Sequence, residues 1–222
     1  LSFRDPGSDK YIGSDEVWDK AESAIRRAVE TLGMEHFEGI GEAAFYGPKL
    51  DFIFQDALDR EWQLGTVQVD YNLPERFDLE YVAEDGTRKR PVMIHRAPFG
   101  SLERLVGILI EEYAGDFPLW LAPIQMRLLP VTEQMLPFAR QVVNQLKALN
   151  IRAEVDESGE RLGKMIRTAE KEKIPVMAVV GAKELEANAL SIRTRAAGEL
   201  GTIPVPEVID RLQKAVTQYS DF

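Results

Sequence analysis

Two segments in the first half of this 222-residue chain place polar side chains where they could bind a ligand. Tyr46 and Lys49 flank a Gly-Pro pair, which is typical of a tight turn. Gln63, Thr66 and Gln68 follow on a β-rich segment, and uncharged polar groups of this kind need partners if they are buried. They could therefore recognise the donors and acceptors of a polar ligand. A turn with a packed aromatic ring and an exposed strand face are the alternative interpretations.

A third segment connects a histidine at the end of a strand to the first turn of a helix. His95 follows an apolar run, and histidine is a common zinc ligand. Ser101 caps the predicted helix, and Arg104 lies in its first turn, where backbone N–H groups and a guanidinium together favour phosphate. Cysteine is absent and the only other histidine is His36, so His and Cys alone cannot form a three-ligand zinc site here. For His95 by itself, a strand-end histidine with an ordinary hydrogen bond is the alternative.

Basic residues recur along a predicted helix in the second half of the chain. Lys164, Arg167 and Lys171 share one face of this helix, with Arg161 and Lys173 at its ends. Such a face could bind an RNA backbone. The glutamates between these residues dilute the charge, which favours a solvated helix face.

The elements that must position the first three segments indicate an antiparallel sheet. Helical spacing of apolar residues predicts a helix between Ser14 and Gly33, and a second helix from Ser101 to near Gly115. Between the helices, strands are predicted at about 50–55, 62–70, 77–82 and 91–94, with a turn at 85–86. Gly65 suggests a bulge or a close backbone approach within the second strand. Strands joined by short turns without intervening helices predict an α+β unit.

The second half alternates strands with helices, which predicts an α/β unit whose sheet is mostly parallel. The apolar stretch between Pro118 and Pro123 is taken as the boundary, giving predicted domains 1–122 and 123–222. Strands are predicted at 126–131, 151–155, 176–180, 190–195 and 200–205, and helices at 132–149, 160–173, 183–187 and 207–219.

Composition narrows the classes of protein that the chain could be. The net charge of −10 argues against non-specific nucleic-acid binding, but the two predicted domains differ, at −11 and +1, which suggests different partners. The absence of cysteine excludes a disulfide scaffold and fits a reducing cytoplasm. No apolar run reaches membrane-spanning length, and no signal peptide is expected.

Four segments, in this order and spacing, resemble the C-terminal half of the catalytic domain of the threonyl-tRNA synthetases: Phe45–Lys49, Trp62–Gln68, Met93–Ala97 and Gly100–Arg104. The last segment resembles motif 3 of class II synthetases. The resemblance runs from about residue 12 to the C-terminus. It implies a two-step reaction, in which threonine attacks ATP to give threonyl-adenylate and pyrophosphate, and the threonyl group then passes to tRNA(Thr).

The resemblance also implies roles for individual residues. Arg104, Gln63 and Tyr46 would act in catalysis, and His95 would be one of three zinc ligands, the others being a Cys and a His upstream of this chain. Zinc would hold the amino and hydroxyl groups of threonine, so that valine could not chelate it. We expect His95 and Arg104 to open onto one cavity. Threonine, ATP with Mg and the tRNA 3′ end would be bound by Tyr46, Lys49, Gln63, Thr66, Gln68, Ser101 and Arg104.

The family's motifs 1 and 2 and its editing domain would lie upstream of Leu1. We therefore expect an excised fragment that does not aminoacylate alone. The parent protein is expected to be a cytoplasmic homodimer. Its dimer contacts would come mainly from upstream segments, which is compatible with a monomeric fragment.

The second half resembles the class II anticodon-binding domain, a mixed sheet flanked by helices. Glu184 and Arg193 lie where that family reads the anticodon, and a carboxylate and a guanidinium can address unstacked base edges. One departure is Gly159, which replaces the amide expected to contact RNA. Two alternatives stay open: a prolyl or glycyl relative, and a non-catalytic tRNA-binding or regulatory paralogue.

Overall fold

A computed structural model of residues 1–222 divides the chain into two units, Leu1–Glu112 and Tyr113–Phe222. The predicted boundary after residue 122 therefore falls inside the second unit. Leu119 explains the difference, because its side chain is buried in the core of the second unit. Its carbonyl oxygen also accepts a hydrogen bond from Gln125 Nε2 at 2.9 Å.

The first unit contains a five-stranded sheet, as the antiparallel pattern predicted. The sheet has the order β2-β1-β3-β4-β7, and all its pairs are antiparallel except β1 with β2. The elements of this unit are β1 Ser2–Phe3, α1 Asp15–Thr31, β2 Gly39–Ile40, β3 Lys49–Gln55, β4 Glu61–Asp70, α2 Asn72–Arg76, β5 Tyr81–Val82, β6 Arg88–Lys89, β7 Met93–Ala97 and α3 Leu102–Glu112.

The core of the first unit forms where α1 packs against the sheet. Helical spacing places Ala21, Ile25 and Val29 on one face of α1, and all three side chains are buried. They pack with Leu1, with Phe3 of β1 and with Val69 of β4. The predicted helix between Ser14 and Gly33 is confirmed, although the Ser14 side chain accepts no cap hydrogen bond.

The predicted strand at 77–82 is wrong. Asp70 Oδ1 accepts hydrogen bonds from the backbone N–H groups of Asn72 at 2.8 Å and Leu73 at 3.0 Å, so the chain turns into the short helix α2. Only β5 remains as a strand, and it pairs with β6 in a separate hairpin rather than with the main sheet. The predicted turn is present, with Gly86 at φ +76°.

The second unit is a mixed α/β sheet, as expected. Strands β9, β8 and β10 are parallel, and β11 and β12 extend the sheet antiparallel in the order β12-β11-β10-β8-β9. One core contains buried residues of α4 and α7, and a second core contains Met165 of α5 with Met177 of β10. The elements are β8 Met126–Pro130, α4 Leu136–Ala148, β9 Ala153–Val155, α5 Leu162–Lys171, β10 Val176–Val180, α6 Ala182–Ala187, β11 Ala189–Thr194, β12 Gly198–Pro204 and α7 Val205–Gln218.

Neither unit contains a helix with the length and apolar character that crossing a membrane requires.

Candidate functional site

A bulge in β4 brings the predicted polar residues onto one face of the sheet. Gly65 pairs with Phe52, but Ile53 pairs with Gln63, so one extra residue lies in β4 at this point. In a regular strand, Gln63 and Thr66 would point to opposite faces, because successive side chains alternate. The extra residue in the bulge reverses this alternation, so Gln63 and Thr66 point to the same face. We call the resulting surface the site face; its members are Lys49, Asp51, Gln63, Thr66, Gln68 and His95. Five of them are cross-strand partners or lie two positions apart, and Gln63 joins them because its partner Ile53 is two positions after Asp51.

Asp51 is the centre of a hydrogen-bonded group on the site face. Its carboxylate accepts hydrogen bonds from Ser2 Oγ at 2.6 Å and Gln63 Nε2 at 2.7 Å, and it lies 2.8 Å from Lys49 Nζ. Burial alone would raise the pKa of Asp51, but the hydrogen bonds from Lys49 and Ser2 bring it below its ordinary value. Asp51 is therefore held as a carboxylate that fixes the Lys49 ammonium and the Gln63 amide.

Thr66 leaves a polar atom without a partner on this face. Its buried Oγ1 forms no hydrogen bond of acceptable geometry, although it lies near enough to Asp51 to help lower the pKa of that carboxyl group. Buried polar atoms are nearly always paired, so this hydroxyl is an unusual polar group beneath the surface of the candidate site.

Tyr46 connects the turn before β3 to the centre of the site face. Its hydroxyl donates a hydrogen bond to Gln68 Oε1, and its ring packs edge-on against the His95 imidazole, with centroids 5.8 Å apart. Burial raises the pKa of the Tyr46 hydroxyl, which keeps it a donor. Gly47 allows this turn to lie close to β4, because an added Cβ would be only 1.9 Å from Val69 O.

His95 is held by a carboxylate that the sequence did not single out. Its Nε2 lies 2.8 Å from Asp70 Oδ2, and the Asp70 side chain is completely buried. The His95 side chain is 37% exposed, so it is not sealed in the core. It lies within β7, opposite Gln68, rather than at the end of the strand.

Arg104 lies at the other end of β4. Its Nη1 donates a hydrogen bond to the Gln63 carbonyl oxygen at 3.0 Å, and its guanidinium carbon lies 5.4 Å from the centre of the Trp62 ring. The Ser101 hydroxyl accepts a hydrogen bond from the Arg104 backbone N–H at 3.1 Å, which confirms the predicted helix cap. Gly100, at φ +60°, makes the preceding turn possible.

The structure does not bring His95 and Arg104 into one group of contacts. His95 is opposite Gln68, whereas Arg104 contacts Gln63 and the Trp62 ring, which projects to the reverse face. At about 3.3 Å per residue, these two ends of β4 are roughly 13 to 16 Å apart. The two side chains therefore share no contact that would define the expected common cavity. The Arg104 guanidinium is held at the edge of β4 by the Gln63 carbonyl oxygen.

The arrangement does not supply a complete metal site. No group of three His, Cys, Asp or Glu side chains in the chain is positioned to hold a metal ion. His95 nevertheless has the surroundings of one ligand, since one ring nitrogen is engaged by a buried carboxylate and the side chain is partly exposed.

The predicted anticodon-reading residues of the second unit lie at separate places. Glu184 is in the first turn of α6, where its Oε2 accepts a hydrogen bond from the Gly181 backbone N–H at 3.0 Å. Arg193 lies on β11, 3.1 Å from Glu199 and 3.4 Å from Glu170. Both side chains therefore have intramolecular partners, and the structure does not bring them together.

The basic face of α5 is partly neutralised. Lys164 pairs with Glu160 at 2.6 Å, and the loop before the helix carries Gly159 at φ +67°. Arg167 and Lys171 are exposed.

Comparison with known proteins decides the family. The profile described as "tRNA synthetase class II core domain (G, H, P, S and T)" matches residues 8–113, and the "Anticodon binding domain" profile matches residues 125–215. A relative from Synechocystis sp., named threonine–tRNA ligase, is 77% identical over 99% of this chain. The chain belongs to the threonyl-tRNA synthetase family. A Gloeobacter violaceus threonine–tRNA ligase is 64% identical over 98% of the chain.

The chain corresponds to the C-terminal part of these synthetases. It spans 36% of the Synechocystis relative and 35% of the Gloeobacter relative, or about a third of their length. A solved structure described as the RNA binding domain of threonyl-tRNA synthetase from Cryptosporidium parvum superposes with a TM-score of 0.84 at 31% identity. That match covers 96% of this chain and 53% of the other. The resemblance and the fold class inferred from the sequence are confirmed, and the prolyl or glycyl alternative is wrong.

Three functional candidates escaped the sequence analysis of this synthetase chain. Asp51 and Asp70 organise the site face, and Trp62 lies against Arg104. A weak signal existed for both carboxylates, since each occupies a polar position in or at the end of a β-rich run. Asp51 meets Gln63 and Ser2, which are 12 and 49 positions away, and Asp70 meets His95, 25 positions away, so only the paired strands reveal these contacts.

Proposed function

We propose that this chain is the C-terminal part of a threonine–tRNA ligase that forms threonyl-adenylate from threonine and Mg-ATP and transfers the threonyl group to tRNA(Thr). The observation that carries the proposal is 77% identity to a relative of that name over 99% of the chain. The sheet geometry supports it, because a bulge in β4 aligns the implied substrate-binding residues on one face.

The site face fits an elongated ligand with an amino acid at one end and a nucleotide at the other. Tyr46 and Gln68 stand beside His95, where threonine would bind. Lys49 is opposite Gln68, and its ammonium reaches Asp51, which is opposite Thr66 in the middle of the face. Gln63 lies at the end towards Arg104, where ATP would bind. Arg104 would contact the triphosphate and adenine from the strand edge, and Ser101 fixes the helix that carries it.

Zinc would complete the threonine end. His95 would supply one ligand, and the remaining ligands would come from the longer protein, because a catalytic zinc site commonly has three protein ligands. Bound zinc would hold the amino and hydroxyl groups of threonine, so that valine, which lacks the hydroxyl, would bind poorly.

The second unit would bind the anticodon arm of tRNA(Thr). Support comes from the anticodon-binding profile over residues 125–215 and from the polar groups of Glu184 and Arg193. Each of these side chains would exchange an intramolecular contact for a base contact. The proposed protein acts as a homodimer in the cytoplasm, with the present chain contributing one subunit's C-terminal part.

A chimera tests the proposal directly. The matching C-terminal region of the Synechocystis relative is replaced by this chain, and threonine-dependent ATP–pyrophosphate exchange is measured. We expect exchange at a rate close to that of the relative, no exchange by the 222-residue chain alone, and little exchange with valine. In the chimera, Arg104→Ala should lower kcat about 10²- to 10³-fold, because it removes a donor aimed at developing phosphate charge.

The competing hypothesis of a non-catalytic, tRNA-binding paralogue makes the opposite prediction. A folded chimera that binds tRNA(Thr) but shows no threonine-dependent exchange would support it and would refute the ligase proposal. Lys147→Ala, on the exposed end of α4 in the second unit, serves as the control variant and should leave exchange unchanged.

A further inference from the structure

Asp70 is the only fully buried carboxylate that contacts a side chain of the site face. Its side chain has no exposed surface, and its two oxygens have different partners. Oδ1 accepts hydrogen bonds from the backbone N–H groups of Asn72 and Leu73 at 2.8 and 3.0 Å. Oδ2 faces His95 Nε2 at 2.8 Å. One carboxylate therefore both starts α2 and holds the imidazole.

The chemistry of this contact determines which nitrogen of His95 carries the proton. An ionised carboxylate can only accept hydrogen bonds, so Nε2 must be the donor. A neutral imidazole that donates through Nε2 has an unprotonated Nδ1, whose lone pair can bind a metal ion or accept a hydrogen bond. The ring is also held by the edge-on packing of Tyr46, with centroids 5.8 Å apart.

We propose that Asp70 is a positioning residue that fixes His95 as the Nε2–H tautomer and so presents Nδ1 as the ligand atom. Only the identity of the bound group, zinc, rests on the proposed function. The tautomer is a property of this chain and can be measured without metal or substrate.

Asp70→Asn makes the inference testable because the amide has one acceptor and one donor. If the amide oxygen keeps the cap of α2, its NH₂ group faces His95 Nε2 and must donate to it. Nε2 then becomes an acceptor, and the proton moves to Nδ1, where it blocks metal binding. A purely structural role for Asp70 would leave the tautomer of His95 unchanged.

The measurement is a long-range ¹H–¹⁵N correlation spectrum of the ¹⁵N-labelled chain at about pH 8.5, where an ordinary imidazole is neutral. The chain contains only two histidines, and His36→Gln assigns their signals. His36 is an internal contrast, because its Nδ1 lies 3.0 Å from Met34 O and it should be the Nδ1–H tautomer. We expect His95 to be Nε2–H in the unmodified chain and Nδ1–H in D70N.

A matched control is Asp85→Asn. Asp85 also accepts a hydrogen bond from a backbone N–H, that of Thr87 at 3.0 Å, but its turn is exposed and it does not contact a histidine. D85N should leave both histidine tautomers unchanged. An Nδ1–H tautomer for His95 in the unmodified chain overturns the proposal even if D70N does not fold. The same Nε2–H tautomer in a folded D70N chain also overturns it.

The metal role is tested separately in the chimera. Chelator competition should show zinc affinity about 10- to 100-fold lower for D70N than for the unmodified chimera, with D85N unchanged. A switched tautomer with unaltered zinc affinity would overturn the assignment of Nδ1 as the ligand atom. A chimera that binds zinc normally but has no threonine-dependent exchange would contradict the proposed function and leave the Asp70 inference standing.

Discussion

Replacing either member of the Lys49–Asp51 pair should destabilise the first unit. Replacing both should lower the free energy of unfolding by less than the sum of the two single losses. The Lys49 and Asp51 side chains are only 15% and 10% exposed, and their charged atoms lie 2.8 Å apart. At an effective dielectric constant of about 20, the gross attraction is about 6 kcal/mol. Desolvation of two largely buried charges removes most of that value. We expect a coupling energy of about 2 kcal/mol from the cycle of K49M, D51N and the double variant.

Asp51→Asn alone should lower the free energy of unfolding by about 2 to 4 kcal/mol. It leaves the Lys49 ammonium without its counter-charge and weakens the hydrogen bonds from Ser2 and Gln63. Urea unfolding followed by tryptophan fluorescence measures the change. A W120F background is used so that the signal comes from Trp18 and Trp62 of the first unit. With a urea dependence of about 2 kcal/mol per molar, D51N should lower the midpoint by about 1 to 2 M.

The pH dependence of this effect has a definite sign. The folded-state pKa of Asp51 lies below its ordinary value of 3.8, so its contribution to stability is present above that pH. The contribution is lost as the pH falls through the folded-state pKa. The stability difference between the unmodified chain and D51N should therefore shrink below about pH 4. If the K49M and D51N costs simply add within about 0.5 kcal/mol, the two groups are not coupled and this reasoning is refuted.

Three further predictions concern other parts of the chain. Gly47→Ala should destabilise the first unit by about 2 kcal/mol or more, because the added Cβ would be 1.9 Å from a backbone oxygen of β4. Gly163→Ala on α5 meets open space and should not destabilise the second unit. Amide hydrogen exchange measures the stability of each unit, and equal protection in both variants would refute the prediction. Hydrogen bonds from neighbouring groups hold the pKa of buried Asp56 well below 3.8 in spite of its desolvation. The stability of the unmodified chain should therefore fall below about pH 4, and that of D56N should fall less. An equal loss of stability in parallel acid titrations of the two chains would refute this. Arg193→Ala should weaken binding of the tRNA(Thr) anticodon stem-loop about tenfold in filter binding, and an equal loss with an unrelated stem-loop would exclude a base contact.

Local patterns predicted most elements correctly because those elements are stabilised by short-range features. The apolar stripe of α1, the hairpin turn at Gly86 and the helix cap at Ser101 each depend on residues a few positions apart. The exception was the segment after β4. There Asp70 starts the short helix α2, and the backbone N–H groups of residues 77–79 hydrogen-bond back to it, so the β-rich residues after it do not extend as a strand.

The alignment of the polar side chains on the site face depended on tertiary structure. Residue spacing puts Gln63 out of phase with Thr66, and only the bulge at Gly65 places both side chains on one face. The separation of His95 from Arg104 along β4 was likewise invisible to motif order.

The sequence by itself identified the family through the resemblance of its motifs, and composition and periodicity determined most of the longer helices and strands and the residue types available for chemistry. Tertiary structure alone decided which of those side chains meet. Asp51 reaches Ser2 across 49 positions and Asp70 reaches His95 across 25, through strand pairing. Contacts between residues so far apart depend on which strands pair and in which register, and the sequence patterns of single strands do not specify that pairing.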